Sequence, residues 1–230
     1  MIKAVAFDFG HTLASSGNPL NWQELYDDAL TDVLSAIGIK DDLNRINDGK
    51  AVLLKYNTRV NNREYEVDSD TIFGELFNKW NICDFTKLDA AKEAFYSFFM
   101  GDAVIYDDVQ KVLSALKDKG YKTGILTDLA YGMDNKYALQ DIAEILAYFD
   151  VVLTSTEIGF RKPSPRGYLL LAEELDVHPI DCVYIGDEEK DIIGANNAGM
   201  ISVHIDRNGT NNDYGQNYTI SSLEQILSLI

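Results

Sequence analysis

Five short apolar segments recur along the chain, each rich in β-branched residues, at 2–7, 123–126, 151–153, 182–185 and 201–205. All but the fourth lack strict alternation of apolar and polar positions or are too short to show it, which is typical of strands buried on both faces. Helical patterns lie between these segments. Strands that alternate with helices predict an α/β fold with a doubly wound parallel sheet, covered by helices on both faces.

Apolar residues at helical spacing predict three helices of this α/β part, at 107–119, 165–175 and 221–230. A fourth, at 191–198, is short and rich in small residues, and Gly199 ends it. Gly120 follows the first helix as a stop signal. Ser222 and Glu224 form a capping pattern at the start of the last helix. Residues 206–218 are rich in Asn and Gly and predict a surface loop.

The interval between the first and second strands spans more than a hundred residues, which is too long for a simple crossover. Four helical patterns fill it, at 22–37, 43–56, 69–80 and 86–99. Phe73, Phe77 and Phe95 supply aromatic residues for a separate core. We therefore predict an inserted α-helical cap domain at 18–100, within an α/β catalytic core formed by 1–17 and 101–230.

Composition and charge narrow the class of protein. The chain has 230 residues, of which 46% are hydrophobic, and this fraction excludes global disorder. Its net charge is −17 without a Lys/Arg cluster, so we expect neither nucleic acid nor a membrane as a partner. No apolar run approaches the roughly 18 residues of a membrane span, and we expect a soluble, cytoplasmic protein. Cys83 and Cys182 match no metal spacing and are expected as buried, reduced thiols.

Polar residues follow the predicted strands at the point where each strand ends. Ligands of open α/β sheets bind outside the carboxyl ends of the strands, so these residues are expected to lie at one edge. A single Asp in such a place is commonly a helix cap, but acidic and cationic groups on four loops are hard to explain by capping. These residues are Asp8, Thr127, Asp128, Lys162, Asp187 and Asp191.

Four sequence segments resemble motifs of the haloacid dehalogenase-like hydrolase superfamily, in the subgroup with a helical cap (C1). They are Val-Ala-Phe-Asp-Phe-Gly-His-Thr-Leu at 5–13, Ile-Leu-Thr-Asp at 125–128, Gly-Phe-Arg-Lys-Pro-Ser-Pro at 159–165, and Tyr-Ile-Gly-Asp-Glu-Glu-Lys-Asp at 184–191. The last segment is the most specific of the four. The resemblance covers the α/β core and implies a Rossmann-like fold, while the cap matches only in position and helical character.

The resemblance implies a Mg²⁺-dependent phosphatase that acts on a small phosphorylated metabolite. Asp8 would attack phosphorus and form an aspartyl-phosphate. Lys162 would neutralise Asp8 and the phosphoryl oxygens, and Thr127 would hydrogen-bond the phosphoryl group. Mg²⁺ needs hard oxygen ligands. The resemblance implies as its ligands Asp8, the backbone carbonyl of Gly10 and Asp187. Asp191 would either bind the ion as well or lie just behind these ligands, where it could instead pair with Lys162.

The chain departs from the family pattern two residues after Asp8. Phosphatases of this family usually carry a second Asp there, which protonates the leaving oxygen, whereas this chain has Gly10. General acid–base catalysis contributes about 10²- to 10⁴-fold in rate, so a replacement matters. His11 is the candidate replacement because an imidazole is a competent acid and base at neutral pH. In the alternative interpretation His11 points outward from the turn or hydrogen-bonds a carboxylate.

Three further side chains complete the predictions. Asp128 stands where Asn is common and is predicted, with His11, to contact substrate. Thr12 is expected to brace the turn after the first strand. Arg161 is expected at the surface, with contact to the substrate as the alternative.

Two other functions remain open from the sequence. One is hydrolysis of a carbon–phosphorus or carbon–halogen bond, since relatives of those kinds also lack the second Asp; a phosphonatase would use Lys50 or Lys55 to form an imine. The pair of carboxylates at Asp187 and Asp191 is suited to binding Mg²⁺, which argues against hydrolysis of a carbon–halogen bond. The other is a degenerate binding or regulatory protein, which has no reason to keep a costly cluster of like charges. We expect a monomer or a homodimer.

Overall fold

The structure, a computed structural model, describes residues 1–230 and contains one large sheet and one small sheet. The strands are β1 (Ala4–Phe7), β2 (Ala14–Ser15), β3 (Val104–Ile105), β4 (Lys122–Thr127), β5 (Val151–Thr154), β6 (Cys182–Gly186), β7 (Ile201–Ile205) and β8 (Tyr218–Ile220). The large sheet has the order β5-β4-β1-β6-β7-β8, and every pairing in it is parallel. β2 and β3 form a short antiparallel pair.

Nine α-helices accompany the strands. They are α1 (Tyr26–Ala36), α2 (Leu43–Tyr56), α3 (Ser69–Lys79), α4 (Leu88–Phe99), α5 (Val109–Asp118), α6 (Asn135–Asp141), α7 (Ser155–Ile158), α8 (Pro165–Glu174) and α9 (Glu189–Asn197). Short 3-10 helices precede α1 and α4, and another, Leu223–Ser228, lies near the C-terminus.

The central strands are buried because helices cover the sheet. All four residues of β1 and all five of β6 are buried. α8 and α9 pack against this sheet, and Tyr168 and Leu171 share an apolar cluster with Ala4, Ala6 and Tyr184. The prediction of a parallel α/β sheet with flanking helices is confirmed.

The chain divides into two compact units. The α/β unit comprises 1–16, 103–128 and 142–230, and the helical unit comprises 17–102 and 129–141. The predicted boundaries placed 129–141 in the core, and this placement was wrong. Tyr131 and Tyr137 pack against Phe95 and Tyr96 of α4, and the backbone at Gly132 lies too close to that of residues 67–69 for any side chain.

Three local predictions also need correction. Within the predicted helix 221–230 only Leu223–Ser228 is helical, as a 3-10 helix, and Ser222 caps it by accepting from the backbone N–H of Glu224. Part of the predicted loop 206–218 leads into β8, which pairs with β7. Cys83 is exposed, whereas Cys182 is buried as predicted, and both are free thiols. No helix of the structure is both long enough and apolar enough to cross a membrane.

Candidate active site

The two central strands of the sheet bring the main acidic residues together. Asp8 follows β1, and Asp187 follows β6, the strand hydrogen-bonded to β1. The backbone N–H of Asp8 donates to the carbonyl of Ile185, which extends this pairing to the strand ends. The carboxyl ends of neighbouring parallel strands therefore place both carboxylates at the same edge of the sheet.

Lys162 bridges two buried carboxylates. Its Nζ lies 2.6 Å from Asp8 Oδ1 and 2.6 Å from Asp191 Oδ1, and the residue is 4% exposed. Burial disfavours the ammonium, but the facing carboxylates of Asp191 and Asp8 outweigh this effect and raise the pKa of Lys162 well above its usual value. Lys162 is therefore charged at neutral pH and is held beside Asp8.

A third carboxylate, that of Asp187, lies close to the two that contact Lys162. One oxygen from each of Asp8, Asp187 and Asp191 lies within 4.8 Å of the others. Burial and the neighbouring carboxylates of Asp8 and Asp191 raise the pKa of Asp187 to about 8. Burial and Asp8 raise the pKa of Asp191 to about 6, even though Lys162 acts in the opposite direction. The cluster thus has an excess of negative charge, and its hard oxygen donors fit a divalent cation such as Mg²⁺.

The start of α9 fixes Asp191 in this cluster. Asp191 Oδ2 accepts a hydrogen bond of 3.0 Å from the backbone N–H of Glu188, as part of a capping box. A Cβ at Gly186 would overlap the Asp191 side chain, so the glycine lets the helix approach the end of β6. Because Oδ2 is occupied by Glu188, it is Asp191 Oδ1 that accepts from Lys162.

Asp128 is engaged by the protein itself. Its Oδ1 accepts from the backbone N–H of Lys162 at 3.1 Å, and its Oδ2 accepts from Lys190 Nζ at 3.3 Å. Arg161 Nη2 lies 3.7 Å away. Burial would raise the pKa of Asp128, but Lys190, Arg161 and Lys162 outweigh it and lower this pKa. The Asp128 carboxylate anchors the loop that carries Lys162, a role that its sequence position alone did not suggest.

The prediction for Arg161 was wrong. The residue is 5% exposed and lies beside Asp128, whereas a surface position is predicted from the sequence. A clue was present in the sequence, because an acidic residue at 128 in place of the common Asn calls for a cationic partner.

The remaining predicted residues occupy the same end of the sheet. Thr127 ends β4 and is half-buried. Gly10 is exposed, and a Cβ built on it would meet nothing within 4 Å. His11 has a left-handed backbone with φ of 55° and donates its backbone N–H to the Ala14 carbonyl. No hydrogen bond joins its imidazole to a carboxylate, so that part of the alternative interpretation does not apply.

Comparison with known proteins identifies the class. Residues 2–199 match the model of the haloacid dehalogenase-like hydrolase family, and the chain belongs to this family. It is therefore a hydrolase with a parallel sheet, flanking helices and an acidic cluster at the sheet edge.

Individual relatives agree with this assignment. The chain is 32% identical to a glyceraldehyde 3-phosphate phosphatase of Methanopyrus kandleri over 90% of its own length and 85% of that protein. The crystal structure of a phosphatase of the family from Thermococcus onnurineus matches with a TM-score of 0.64, 25% identity and coverage of 99% and 97% of the two chains. A 2-haloacid dehalogenase from Pseudomonas syringae matches with a TM-score of 0.70 at 22% identity, covering 100% and 98%, which shows the shared fold.

Proposed function

We propose that this protein is a Mg²⁺-dependent phosphatase that acts on a small phosphorylated metabolite through an aspartyl-phosphate on Asp8. The observation that carries the proposal is the ammonium of Lys162 held 2.6 Å from Asp8 and from Asp191. A carboxylate that attacks a phosphate dianion faces charge repulsion, and this fixed cation reduces it. The similarity to the phosphatase of Methanopyrus kandleri supports the same reaction class.

The chain's own residues account for the first chemical step. An oxygen of Asp8 attacks phosphorus, the bond to the leaving oxygen breaks, and the phosphoryl group becomes an acyl phosphate on Asp8. Lys162 compensates the charge of the transferring oxygens, and the hydroxyl of Thr127 donates to one of them. Water then attacks the phosphoryl group, which releases inorganic phosphate and restores the carboxylate.

Asp8, Asp187 and Asp191, with the carbonyl of Gly10, are the groups that would hold Mg²⁺. Their oxygen donors and the raised pKa of Asp187, about 8, agree with a site that needs a cation to balance its charge. Bound there, Mg²⁺ would supply positive charge beside the phosphoryl oxygens.

The leaving oxygen needs a proton unless it is already stable as an anion. Gly10 has no side chain to give one, so either His11 donates it or the substrate has an activated leaving group. His11 lies three residues after Asp8 in the same turn, and its imidazole is not committed to a carboxylate. We propose His11 as the donor, and His11 and Asp128 as residues near the substrate, with Asp128 acting through the Lys162 loop.

The surroundings of Lys50 and Lys55 favour a phosphatase over a phosphonatase. Lys50 pairs with Asp27 at 2.7 Å, and Lys55 pairs with Glu75 at 2.6 Å, on exposed parts of α2. The hydrogen bond to Glu75 raises the pKa of Lys55. An amine that forms an imine must lose its proton, so its pKa should instead be lowered.

We further infer that the helical unit is the cap of the C1 subgroup and that the α/β unit is the catalytic core. The protein would work in the cytoplasm as a monomer or a homodimer. It would bind neither nucleic acid nor a membrane, because its net charge of −17 repels both.

The test is a screen of phosphorylated and phosphonate metabolites with and without Mg²⁺, with Asp8→Asn as the key variant. Asp8→Asn removes the attacking charge at nearly constant shape, so turnover should be abolished. Brief acid quenching should trap a phosphoenzyme, sensitive to hydroxylamine, in the wild type alone. Asp118→Asn, an exposed carboxylate at the end of α5, is the matched control and should retain full activity. Substantial phosphatase activity in Asp8→Asn would refute the covalent mechanism.

A further inference from the structure

Arg207, which follows β7, joins three separate segments of the α/β unit. Its Nη1 and Nη2 each lie 3.0 Å from an oxygen of Asp108, in a bidentate pair. Its Nη2 and Nε also donate to the backbone carbonyl of Thr12, at 3.0 Å and 3.3 Å. One guanidinium therefore links the turn after β1 to the residue that precedes α5.

This guanidinium is itself held firmly. Its carbon atom lies 3.9 Å from the centre of the Tyr106 ring, and its side chain is only 15% exposed. Asp108 Oδ2 also accepts from the backbone N–H of Leu223 at 2.7 Å. Burial would raise the pKa of Asp108, but the hydrogen bonds from Arg207 and Leu223 outweigh it and lower this pKa. The pair thus stays charged and fixed at neutral pH.

Thr12 connects this anchor to the acidic cluster. The residue is fully buried, and its Oγ1 donates to Asp187 Oδ1 at 3.2 Å. The turn around it is tight, because the backbone N–H groups of Leu13 and Ala14 both donate to the carbonyl of Phe9. The position of Thr12 therefore affects both Asp187 and the turn that contains Gly10.

We propose that Arg207 is a positioning residue for the cation site: it fixes the Thr12 carbonyl and so orients the Thr12 hydroxyl that holds Asp187. The inference rests on the proposed function, because it assumes that Asp187 helps to bind Mg²⁺. Groups that orient metal ligands commonly contribute 10- to 100-fold to metal affinity. The planar guanidinium is needed because a lysine ammonium cannot bind Asp108 in two places and also reach the carbonyl.

The test compares Mg²⁺ affinity in Arg207→Met, Arg207→Lys, Thr12→Val and the double variant Arg207→Met/Thr12→Val. Calorimetric titration of the full chain with Mg²⁺ alone gives the Kd, and thermal unfolding reports whether each variant is folded. Steady-state kinetics then separates kcat from KM. Lys111→Met is the matched control, because it removes an exposed ion pair with Glu224 that likewise joins α5 to the C-terminal 3-10 helix.

Arg207→Met and Arg207→Lys should each raise the Kd for Mg²⁺ by about 10-fold or more, and lower kcat more than they raise KM. In the Thr12→Val background, Arg207→Met should have little further effect on the Kd. The hydrogen bond from the Thr12 hydroxyl to Asp187, through which Arg207 is proposed to act, is already absent there. Lys111→Met should leave the Kd unchanged. Should Arg207→Met not fold, Arg207→Lys, which keeps the charge, decides by the same criterion.

Folded Arg207 variants that bind Mg²⁺ within twofold of the wild type would overturn the inference, as would additive effects in the double variant or a wild type that binds no Mg²⁺. A wild type that binds Mg²⁺ but hydrolyses no phosphate ester would count against the proposed function alone, because the titration contains no substrate.

Discussion

Gly10 is the single residue that most affects the proposed chemistry. Its exposed position has room for a side chain, since a Cβ there meets nothing within 4 Å, and its φ is not left-handed. The backbone and its surroundings at this position therefore accept the Cβ of a larger residue. The position allows a direct test of whether the lack of a side-chain acid two residues after Asp8 limits the rate.

In a His11→Asn background, which lacks the proposed proton donor, Gly10→Asp should raise kcat/KM for alkyl phosphates, by up to the 10²- to 10⁴-fold that general acid–base catalysis typically supplies. The gain should be much smaller for p-nitrophenyl phosphate, because that leaving group departs without a proton. Rates measured across a series of leaving-group pKa values check this. Gly10→Asn is the control of similar shape without an acid. Equal gains for both substrates, or for both variants, would contradict the prediction.

His11 is the second residue-scale question, and its backbone complicates the simple alanine variant. With φ of 55°, an alanine there would be strained, whereas asparagine tolerates this conformation. If His11 donates the proton, His11→Asn should slow hydrolysis of alkyl phosphates far more than that of p-nitrophenyl or acyl phosphates. His11→Ala should show the same selectivity with an added loss of thermal stability. Identical dependence on leaving-group pKa in the wild type and both variants would reject His11 as the donor.

Among the elements, α8 and α9 approach each other at a glycine. A Cβ on Gly194 of α9 would overlap the ring of Tyr168, which is fully buried in α8. The Tyr168 hydroxyl lies 3.3 Å from the carbonyls of both Lys190 and Asp191, so the ring cannot move without disturbing the start of α9. This contact links helix packing to the placement of Asp191.

Gly194→Ala should therefore destabilise the protein by about 1–3 kcal/mol, as overpacked cores do. Gly74→Ala in α3 is the matched control, because a Cβ there meets nothing within 4 Å. Removing a helical glycine at an open site should stabilise by about 0.5–1 kcal/mol. Urea unfolding of both variants measures the difference. A Gly194→Ala variant as stable as the wild type would show that Tyr168 can shift freely.

Elements with a strong local pattern could be predicted from the sequence. The five apolar runs form β1, β4, β5, β6 and β7, and the sequence placed α2 at 43–56. β8 was missed because its three residues have no run of their own and owe their conformation to pairing with β7. Residues 129–141 were misplaced because only packing, through Tyr131 and Tyr137, decides which unit they join.

The candidate site was predictable to the extent that its residues follow strands. Asp8 and Asp187 lie beside each other because β1 and β6 are neighbours, which the topology of parallel sheets makes foreseeable. Arg207 and Asp108 were missed, since each occupies a position that looks like ordinary surface. Their partners lie 195 and 115 residues away in the chain, and no local pattern encodes such contacts.

At the scale of the whole molecule, charge is the dominant feature. The chain carries a net charge of −17, and its candidate site holds two buried carboxylates, one half-buried carboxylate and one lysine ammonium. The long-range field attracts cations and repels anions, although salt screens it beyond about 8 Å at physiological ionic strength. A phosphorylated substrate must therefore be attracted locally, and we expect the bound cation to affect stability as well as rate.

Mg²⁺ should raise the midpoint of thermal unfolding, because a ligand that binds only the folded state stabilises it by about 2.7 kcal/mol at 100 times its Kd, or about 5–10 °C for a chain of this size. Asp187→Asn keeps an oxygen that can accept from Thr12 but removes the ionisable carboxyl, whose pKa is raised to about 8 in the folded protein. At neutral pH this variant should be more stable than the wild type in EDTA, because folding no longer has to protonate a carboxyl that is ionised in the unfolded chain. It should also lose most of the shift with Mg²⁺. Asp118→Asn should behave like the wild type in both conditions. Differential scanning calorimetry at equal ionic strength measures the unfolding midpoint of each of the three proteins with Mg²⁺ and in EDTA. The cation site would be refuted if Mg²⁺ left the unfolding midpoint of the wild type unchanged. It would also be refuted if Asp187→Asn kept the full increase in midpoint with Mg²⁺.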